Sequence, residues 1–232
     1  MTTNGKPDTA ARIRSFVKRP GRLTRGQKRA LESLWPRFGL AATATIDFDT
    51  LFGRSHGDRV LEIGYGDGDS LVALAAAHPD YRVLGCEVHE PGIGHCLLAI
   101  EEAGLENVRL IGADAVDLLT AQIGPAALER INLYFPDPWP KKRHHKRRLF
   151  SLEFLALADR ALSIDGTLHI ATDWAPYAEH VDEVIAANDV FQIRQRVRHA
   201  GDQPLDRVTT KFERRGLALG HEITDWILEK CR

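Results

Sequence analysis

The sequence predicts an α/β protein with a mostly parallel sheet covered by helices on both faces. Two observations carry this reading. From about Asp58 onward, short apolar runs alternate with segments of helical spacing, and that alternation builds parallel sheets buried on both sides. Glycines or a lone acid stand at the ends of these runs, at Gly64–Gly68, Glu87, Asp114, Asp137 and Asp173. Ligands of open α/β sheets lie beyond the carboxyl ends of the strands.

The elements follow in order. RVLEIGYG (Arg59–Gly66) reads as a buried strand ending in glycines, and DSLVALAAAH (Asp69–His78) as the helix after it. YRVLGCEV (Tyr81–Val88) is the second strand, with a helix from about Gly92 to Ala103. VRLIGAD (Val108–Asp114) is the third, followed by helical AVDLLTAQI (Ala115–Ile123). RINLYF (Arg130–Phe135) is the fourth, and LFSLEFLALADRAL (Leu149–Leu162) again has helical spacing. GTLHIATD (Gly166–Asp173) is the fifth strand, with a helix to about Ala187. FQIRQRV (Phe191–Val197) and HEITDWILEK (His221–Lys230) close the sheet. Between them Arg198–Gly220 is polar and aperiodic, which predicts a mobile functional loop. Residues 1–40 are expected to form a basic arm, partly disordered without a polyanion, with a short helix in RGQKRALESLW (Arg25–Trp35); residues 41–232 form the main domain.

At 232 residues, 44% hydrophobic and 27% charged, the chain can build an ordinary core. No apolar run is long enough to span a bilayer, and MTTNGKPDTAARIRSF holds no apolar leader segment. Cys86, Cys96 and Cys231 are odd in number and lack C-x-x-C spacing, which argues against a disulfide framework or a zinc site and suits a reducing cytoplasm. The ten histidines show no metal-ligand spacing, so no metal is assigned.

The net charge of −1 conceals an asymmetry. Residues 1–37 hold ten Lys/Arg against Asp8 and Glu32, and residues 141–148 hold six more, so the remainder is acidic. One such run would be an ordinary solvated face. Two clusters on an acidic body point to a polyanion, and phosphates are the obvious one.

LEIGYGDGDS places Gly64, Gly66 and Gly68 between a strand and a helix. Such a turn lets backbone approach a ligand and presents free N–H groups. Glu87, about 20 residues on, stands where an acid pairs with ribose hydroxyls; otherwise it is a solvated loop acid. A nicotinamide cofactor and S-adenosylmethionine both fit such a turn. Asp67 and Asp69 would face a pyrophosphate, whereas the sulfonium and ammonium of S-adenosylmethionine tolerate acids. The third glycine also comes one position early for G-x-G-x-x-G. The reading is therefore S-adenosylmethionine, with Asp114 placed to accept from the adenine amino group.

LEIGYGDG, EVHEPGIG, FPDPWPKKRHHKRR, ATDWAPYAEH and TKFERRG…LGHEITDW occur, after the leading RSFVKRPGRLTRGQKRALE, in an order that resembles the bacterial tRNA (guanine-N7-)-methyltransferases. The resemblance covers nearly the whole chain, although the family's glycine turn often reads G-F-G-M-G where this chain has Tyr65 and Asp67. It implies a Rossmann-like class I methyltransferase fold with one antiparallel strand near the C-terminus. The implied reaction is methyl transfer to N7 of a guanosine in the tRNA variable loop, conventionally position 46. Glu62, Glu87, Asp114 and Asp137 match the family's cofactor-site positions, and Lys141, Asp173 and Thr210, Lys211, Phe212 and Glu213 its substrate-site positions. A cytoplasmic enzyme, monomeric or homodimeric, is expected; the alternatives are a non-catalytic tRNA-binding protein on the same scaffold or a small-molecule methyltransferase.

Guanine N7 carries a lone pair and no proton, so the reaction needs alignment rather than a base. Asp137, between Pro136 and Pro138, is expected to read or stabilise the guanine, with the Lys141–Arg148 run on phosphates; the plainer alternative is an Asx turn. Asp173 equally suits a helix N-cap. Trp139 and Trp174 suit either stacking on a base or packing beneath a loop. Glu213 is expected to take guanine N–H donors and Lys211 a phosphate.

Overall fold

The computed structural model describes residues 13–17, 21–42, 45–200 and 207–231. Its elements are α1 (Arg25–Ser33), α2 (Trp35–Phe38), β1 (Gly39–Leu40), α3 (Phe48–Phe52), β2 (Arg59–Ile63), α4 (Asp69–Ala77), β3 (Arg82–Cys86), α5 (Glu90–Glu102), β4 (Val108–Ile111) and α6 (Ala115–Ala121). They continue with β5 (Leu128–Tyr134), a 3-10 turn over Lys142–Arg147, α7 (Leu152–Ala161), β6 (Leu162–Thr172), α8 (Ala175–Ala186), β7 (Phe191–His199), α9 (Lys211–Ala218) and β8 (Ile223–Lys230).

The strands form one sheet in the order β1-β4-β3-β2-β5-β6-β8-β7. All pairings from β1 to β6 are parallel, while β8 runs antiparallel to both β6 and β7. The order reverses at β2, whose neighbours are β3 and β5. That is the switch point at which ligands enter such sheets. Two apolar layers cover the sheet. One packs Leu118, Phe154, Tyr177 and Val181 over Leu61, Ile131 and Ile170. The other packs Ala30, Leu71, Leu97 and Ile100 over Val83 and Leu110.

Strands β2 to β6 end one to three residues before the sequence reading places them, whereas β7 runs on to His199 and β8 ends at Lys230 as read. Asp114 leaves β4 because its carboxylate accepts from the Val116 N–H (3.0 Å) and caps α6. Residues 1–12 and 18–20 of the expected basic arm lie outside the described residues. Residues 21–40 fold onto the main body: Ala30, Leu34 and Phe38 are buried, and β1 pairs with β4.

The Arg198–Gly220 segment, read as an aperiodic loop, holds the end of β7 and helix α9; residues 201–206 lie outside the described residues. T-K-F-E is a capping box: the Thr210 hydroxyl accepts from the Glu213 N–H (3.2 Å), and the Glu213 carboxylate accepts from the Thr210 N–H (3.3 Å). Glu213 also pairs with the buried Arg207, which donates from Nε and Nη2 to Asp225 (2.8 and 2.9 Å) and stacks on Tyr134 and Phe135. Arg207, Glu213 and Asp225 side chains are at most 2% exposed. Removing one partner from such a cluster strands buried charge at a cost of about 3–5 kcal/mol. Arg207→Ala is therefore expected to lower the unfolding free energy by about that amount; a loss below about 1 kcal/mol in urea titration would contradict this role.

Candidate active site

At the carboxyl edge of the sheet a cavity of about 430 Å³ lies beside the β2 switch point. Its walls include Ile63, Gly64 and Gly66 at the end of β2, Glu87 and His89 after β3, Ala113 and Ala115 past the end of β4, and Leu133–Asp137 at the end of β5. Volume and mixed lining suit a nucleoside-sized ligand.

Glycine chemistry shapes one side. Gly64 adopts φ +70°, open only to glycine without strain, and no atom lies within 4 Å of a side chain built there, so ligand can approach the backbone. Gly68 lies outside the cavity lining; a Cβ there would stand 2.6 Å from Cys96 Sγ, so this glycine sets the packing of α4 on α5.

The acids divide. Glu87 Oε2 accepts from the Gly66 N–H (3.0 Å), and Oε1 from the N–H groups of Val88 and His89 (2.6 and 3.0 Å). A carboxylate has about four acceptor sites. Glu87 thus has room for about one hydroxyl, not for both ribose hydroxyls with its backbone contacts intact. Asp114 sits behind the cavity as the α6 cap while its neighbours Ala113 and Ala115 line it. Glu62 floors a smaller adjoining cavity with Ser70, Thr210, Lys211 and Phe212. Its Oε1 accepts from the Ser70 hydroxyl, and burial pushes its pKa up to about 7 against the pull of Ser70 and Arg130.

Asp137 is exposed and lines the cavity. The turn around it is strained: Phe135 and Trp139, two residues to either side, have φ +51° and +45°, values that bulky residues rarely adopt. Contacts from several elements hold the turn. Phe135 N–H donates to the Ala171 carbonyl (2.8 Å), Arg148 Nε donates to the Pro138 carbonyl (3.1 Å), and Arg207 stacks on Phe135. Arg148, expected among the phosphate contacts, is instead buried against the Tyr177 ring. Lys141, Lys142, Arg143 and Lys146 are exposed. Burial and the surrounding cations Arg143, Arg147, Lys141 and Lys146 lower the pKa of His144.

The expected substrate residues do not converge as one group. Asp173 accepts from His221 Nδ1 (2.9 Å) and abuts Gly216 of α9. Glu213, expected to read guanine, is buried in the Arg207 cluster because the capping box turns it inward. Lys211 pairs with Asp67 (2.7 Å) and Arg214 with Asp69 (3.2 Å), so α9 sits over the glycine turn and offsets its acids. Phe212 lines both cavities.

Sequence reasoning missed a buried polar chain beneath the site. His169 Nε2 is 3.0 Å from Asp225, and its Nδ1 is 3.0 Å from the Tyr134 hydroxyl and 3.2 Å from Arg130. Burial and then the nearby Arg130 and Arg207 lower the His169 pKa despite Asp225. The imidazole is therefore neutral, and its partners assign the proton to Nε2. Burial pushes Asp225 up, but the hydrogen bonds from His169 and Arg207 outweigh it and hold the carboxyl at about 2. The polar residues in RINLYF and GTLHIATD were the available signal.

The fit to S-adenosylmethionine rests on Gly64, the apolar walls of Ile63, Ala113 and Leu133, and the spare acceptor capacity of Glu87, with the buried Glu62 in the adjoining cavity. A family model described as "Putative methyltransferase" matches residues 57–226. The 16S rRNA methyltransferase KamB superposes with a TM-score of 0.59 at 16% identity, over 82% of this chain and 96% of that one, which speaks to the fold. Fold and cavity together are those of a class I methyltransferase. The tRNA (guanine-N(7)-)-methyltransferase of Halorhodospira halophila is 51% identical over 92% of this chain and 93% of its own. The enzyme of the same description from Salmonella choleraesuis is 46% identical over 99% and 95%. The chain belongs to the tRNA (guanine-N(7)-)-methyltransferase family.

Glu62 makes a pH-dependent contribution. Below its unfolded value of 4.5 it is protonated in both states. Between 4.5 and about 7 the folded protein keeps a proton that the unfolded chain has released, so stability falls as pH rises through that window. Glu62→Gln should flatten the dependence of the urea midpoint over that interval. An unchanged slope would remove Glu62 as its source.

Proposed function

We propose that the chain transfers the methyl group of S-adenosylmethionine to N7 of a guanosine in the tRNA variable loop, at position 46, with Asp137 acting at the guanine edge. The observation that carries this reading is the placement of exposed Asp137 on one cavity with Gly64, Gly66 and Glu87, four residues before the exposed Lys141. S-adenosylmethionine, when bound, supplies a sulfonium-activated methyl group. Gly64 and Gly66 give it backbone access, Glu87 holds one hydroxyl, and Glu62 lies beside the glycine turn as an acceptor for a cationic group.

N7 needs no deprotonation, so the protein's work is to align the base and favour the charge it gains. A carboxylate at the rim stabilises a purine ring that becomes cationic more than the neutral ring. Asp137 has the position for this, and its strained, anchored turn limits reorganisation. Phosphate binding falls to two exposed basic groups flanking the cavity mouth. One is Lys141, Lys142, Arg143 and Lys146. The other is Arg22, Arg25, Lys28 and Arg29 on and before α1, which docks on α5 through Gln27 Nε2 to the Pro91 carbonyl (3.1 Å). Lys211 joins the first group if it exchanges Asp67 for a phosphate. That pair is exposed and worth at most about 1 kcal/mol, so exchange is inexpensive. No helix among the described residues is long and apolar enough to cross a membrane, and the unpaired cysteines accord with a cytoplasmic enzyme.

The test is methyl transfer from labelled S-adenosylmethionine to an unmodified tRNA transcript, followed by strand cleavage specific for N7-methylguanosine. Cleavage is expected at the variable-loop guanosine and lost when that base is adenosine. Asp137→Ala is expected to lower kcat by about 10²–10³-fold with little change in unfolding free energy, a loss typical of one electrostatic stabiliser; wild-type kcat in a folded variant would exclude the role. The Lys142→Ala, Arg143→Ala double variant should weaken tRNA binding and make the plot of log affinity against log salt shallower by about one to two. An unchanged slope would place the phosphates elsewhere.

A further inference from the structure

The N-terminal segment belongs to the basic region that sequence reasoning assigned to RNA, yet its described residues Ser15, Phe16 and Val17 stand in the wall of the main cavity. We infer that Phe16 is a cofactor-binding residue: the Ser15–Val17 segment is a strap across the cavity, and the Phe16 ring forms part of the seat for S-adenosylmethionine. This rests on the reading that the cavity holds that molecule.

The strap is attached at defined points. Trp139 Nε1 donates to the Ser15 carbonyl (2.9 Å), and Arg147 Nη1 donates to the Arg14 carbonyl (3.4 Å). Arg147 also stacks on the Trp139 ring at 5.1 Å, which fixes the donor side of the clip. Both acceptors are backbone carbonyls, so the anchor sets where the chain runs and leaves the Phe16 side chain to face its surroundings. Gly21 lies against the opposite side of the mouth: a Cβ there would stand 2.5 Å from Pro91 and 2.9 Å from His89, itself a cavity residue. Ser15 thus lies at the loop after β5 and Gly21 at the start of α5, the two sides of the β2 switch point.

Phe16 belongs to neither apolar layer of the fold. Its half-burial comes from the strap's own placement, with Arg14 at 5.8 Å from its ring. A half-buried phenyl group that serves no core but lines a nucleoside-sized cavity has a ligand as its natural partner. An aromatic face suits both parts of S-adenosylmethionine, the adenine ring by stacking and the sulfonium by cation–π attraction. The strap would then couple the two ligands, since exposed Arg14 stands beside a piece of the cofactor seat.

The test is equilibrium dialysis of labelled S-adenosylmethionine with the full-length protein, without RNA, for wild type, Phe16→Ala, Phe16→Tyr and Trp139→Phe. Phe16→Ala should raise the dissociation constant at least about tenfold. Phe16→Tyr should stay within about threefold, because it keeps the ring. Trp139→Phe, which deletes the strap's indole donor, should fall between them. Thermal unfolding of cofactor-free Phe16→Ala should match wild type, separating a lost contact from a lost fold; Phe16→Tyr carries the comparison if it does not. Phe16→Ala binding within twofold of wild type would overturn the inference, and weakened tRNA affinity alongside would make Phe16 an RNA contact only. Failure of the wild type to bind S-adenosylmethionine would instead sink the functional reading beneath it.

Discussion

The Arg207 guanidinium, buried between Asp225 of β8 and Glu213 of α9 and stacked on Tyr134 and Phe135, is the constraint on which the site depends. It joins the antiparallel strand, the helix over the glycine turn, and the end of the strand that leads to Asp137. Burial works against its charge, and the two carboxylates more than offset that. The cluster is not fully satisfied. Among the described residues Glu213 Oε1 has no hydrogen-bond partner, with His199 Nε2 4.0 Å away. An unmet buried oxygen costs about 1–3 kcal/mol, so geometry rather than surplus stability is the better account of why α9 sits where it does.

The strained turn follows from that clamp. Positive φ at Phe135 and Trp139 costs of order 1–3 kcal/mol each. The surroundings over-determine it through Arg207 above the ring, Arg148 on the Pro138 carbonyl, and the Ala171 carbonyl on the Phe135 N–H. The result is a carboxylate aimed at the cavity from a backbone with little room to relax. Trp139, at the far end of the same turn, points its indole N–H at the strap, so one local distortion serves two walls of the cavity.

Charge is sorted by depth. Asp225, Glu213 and Glu62 lie in the interior, where Arg207, Arg130 and Ser70 answer them. Asp67 and Asp69 lie at the surface, held by exposed cations of α9. Interior pairs fix geometry; exposed ones are weak and exchangeable. Asp137 is carried on a proline-bounded turn beside the Lys141–Arg148 run, in which Arg147 and Arg148 are turned onto Trp139 and Tyr177.

The sequence by itself determined the alternation of strands and helices, the strand ends at which ligands gather, the glycine turn and the family. These are local patterns: apolar period, glycine where backbone must be left-handed, and an acid after a strand. It also held the T-x-x-E capping signature, which the lack of periodicity around it obscured. Only the tertiary structure decided which acid faces the cavity. Asp137, Asp173 and Glu213 look alike in sequence, but Glu213 is turned inward to Arg207, Asp173 is bound to His221 of the next strand's approach, and Asp137 lines the cavity. The placement of Phe16 on that cavity was also beyond the sequence. Each depends on a partner from 6 to 124 positions away, and burial is a property of the packed chain, not of any residue within it.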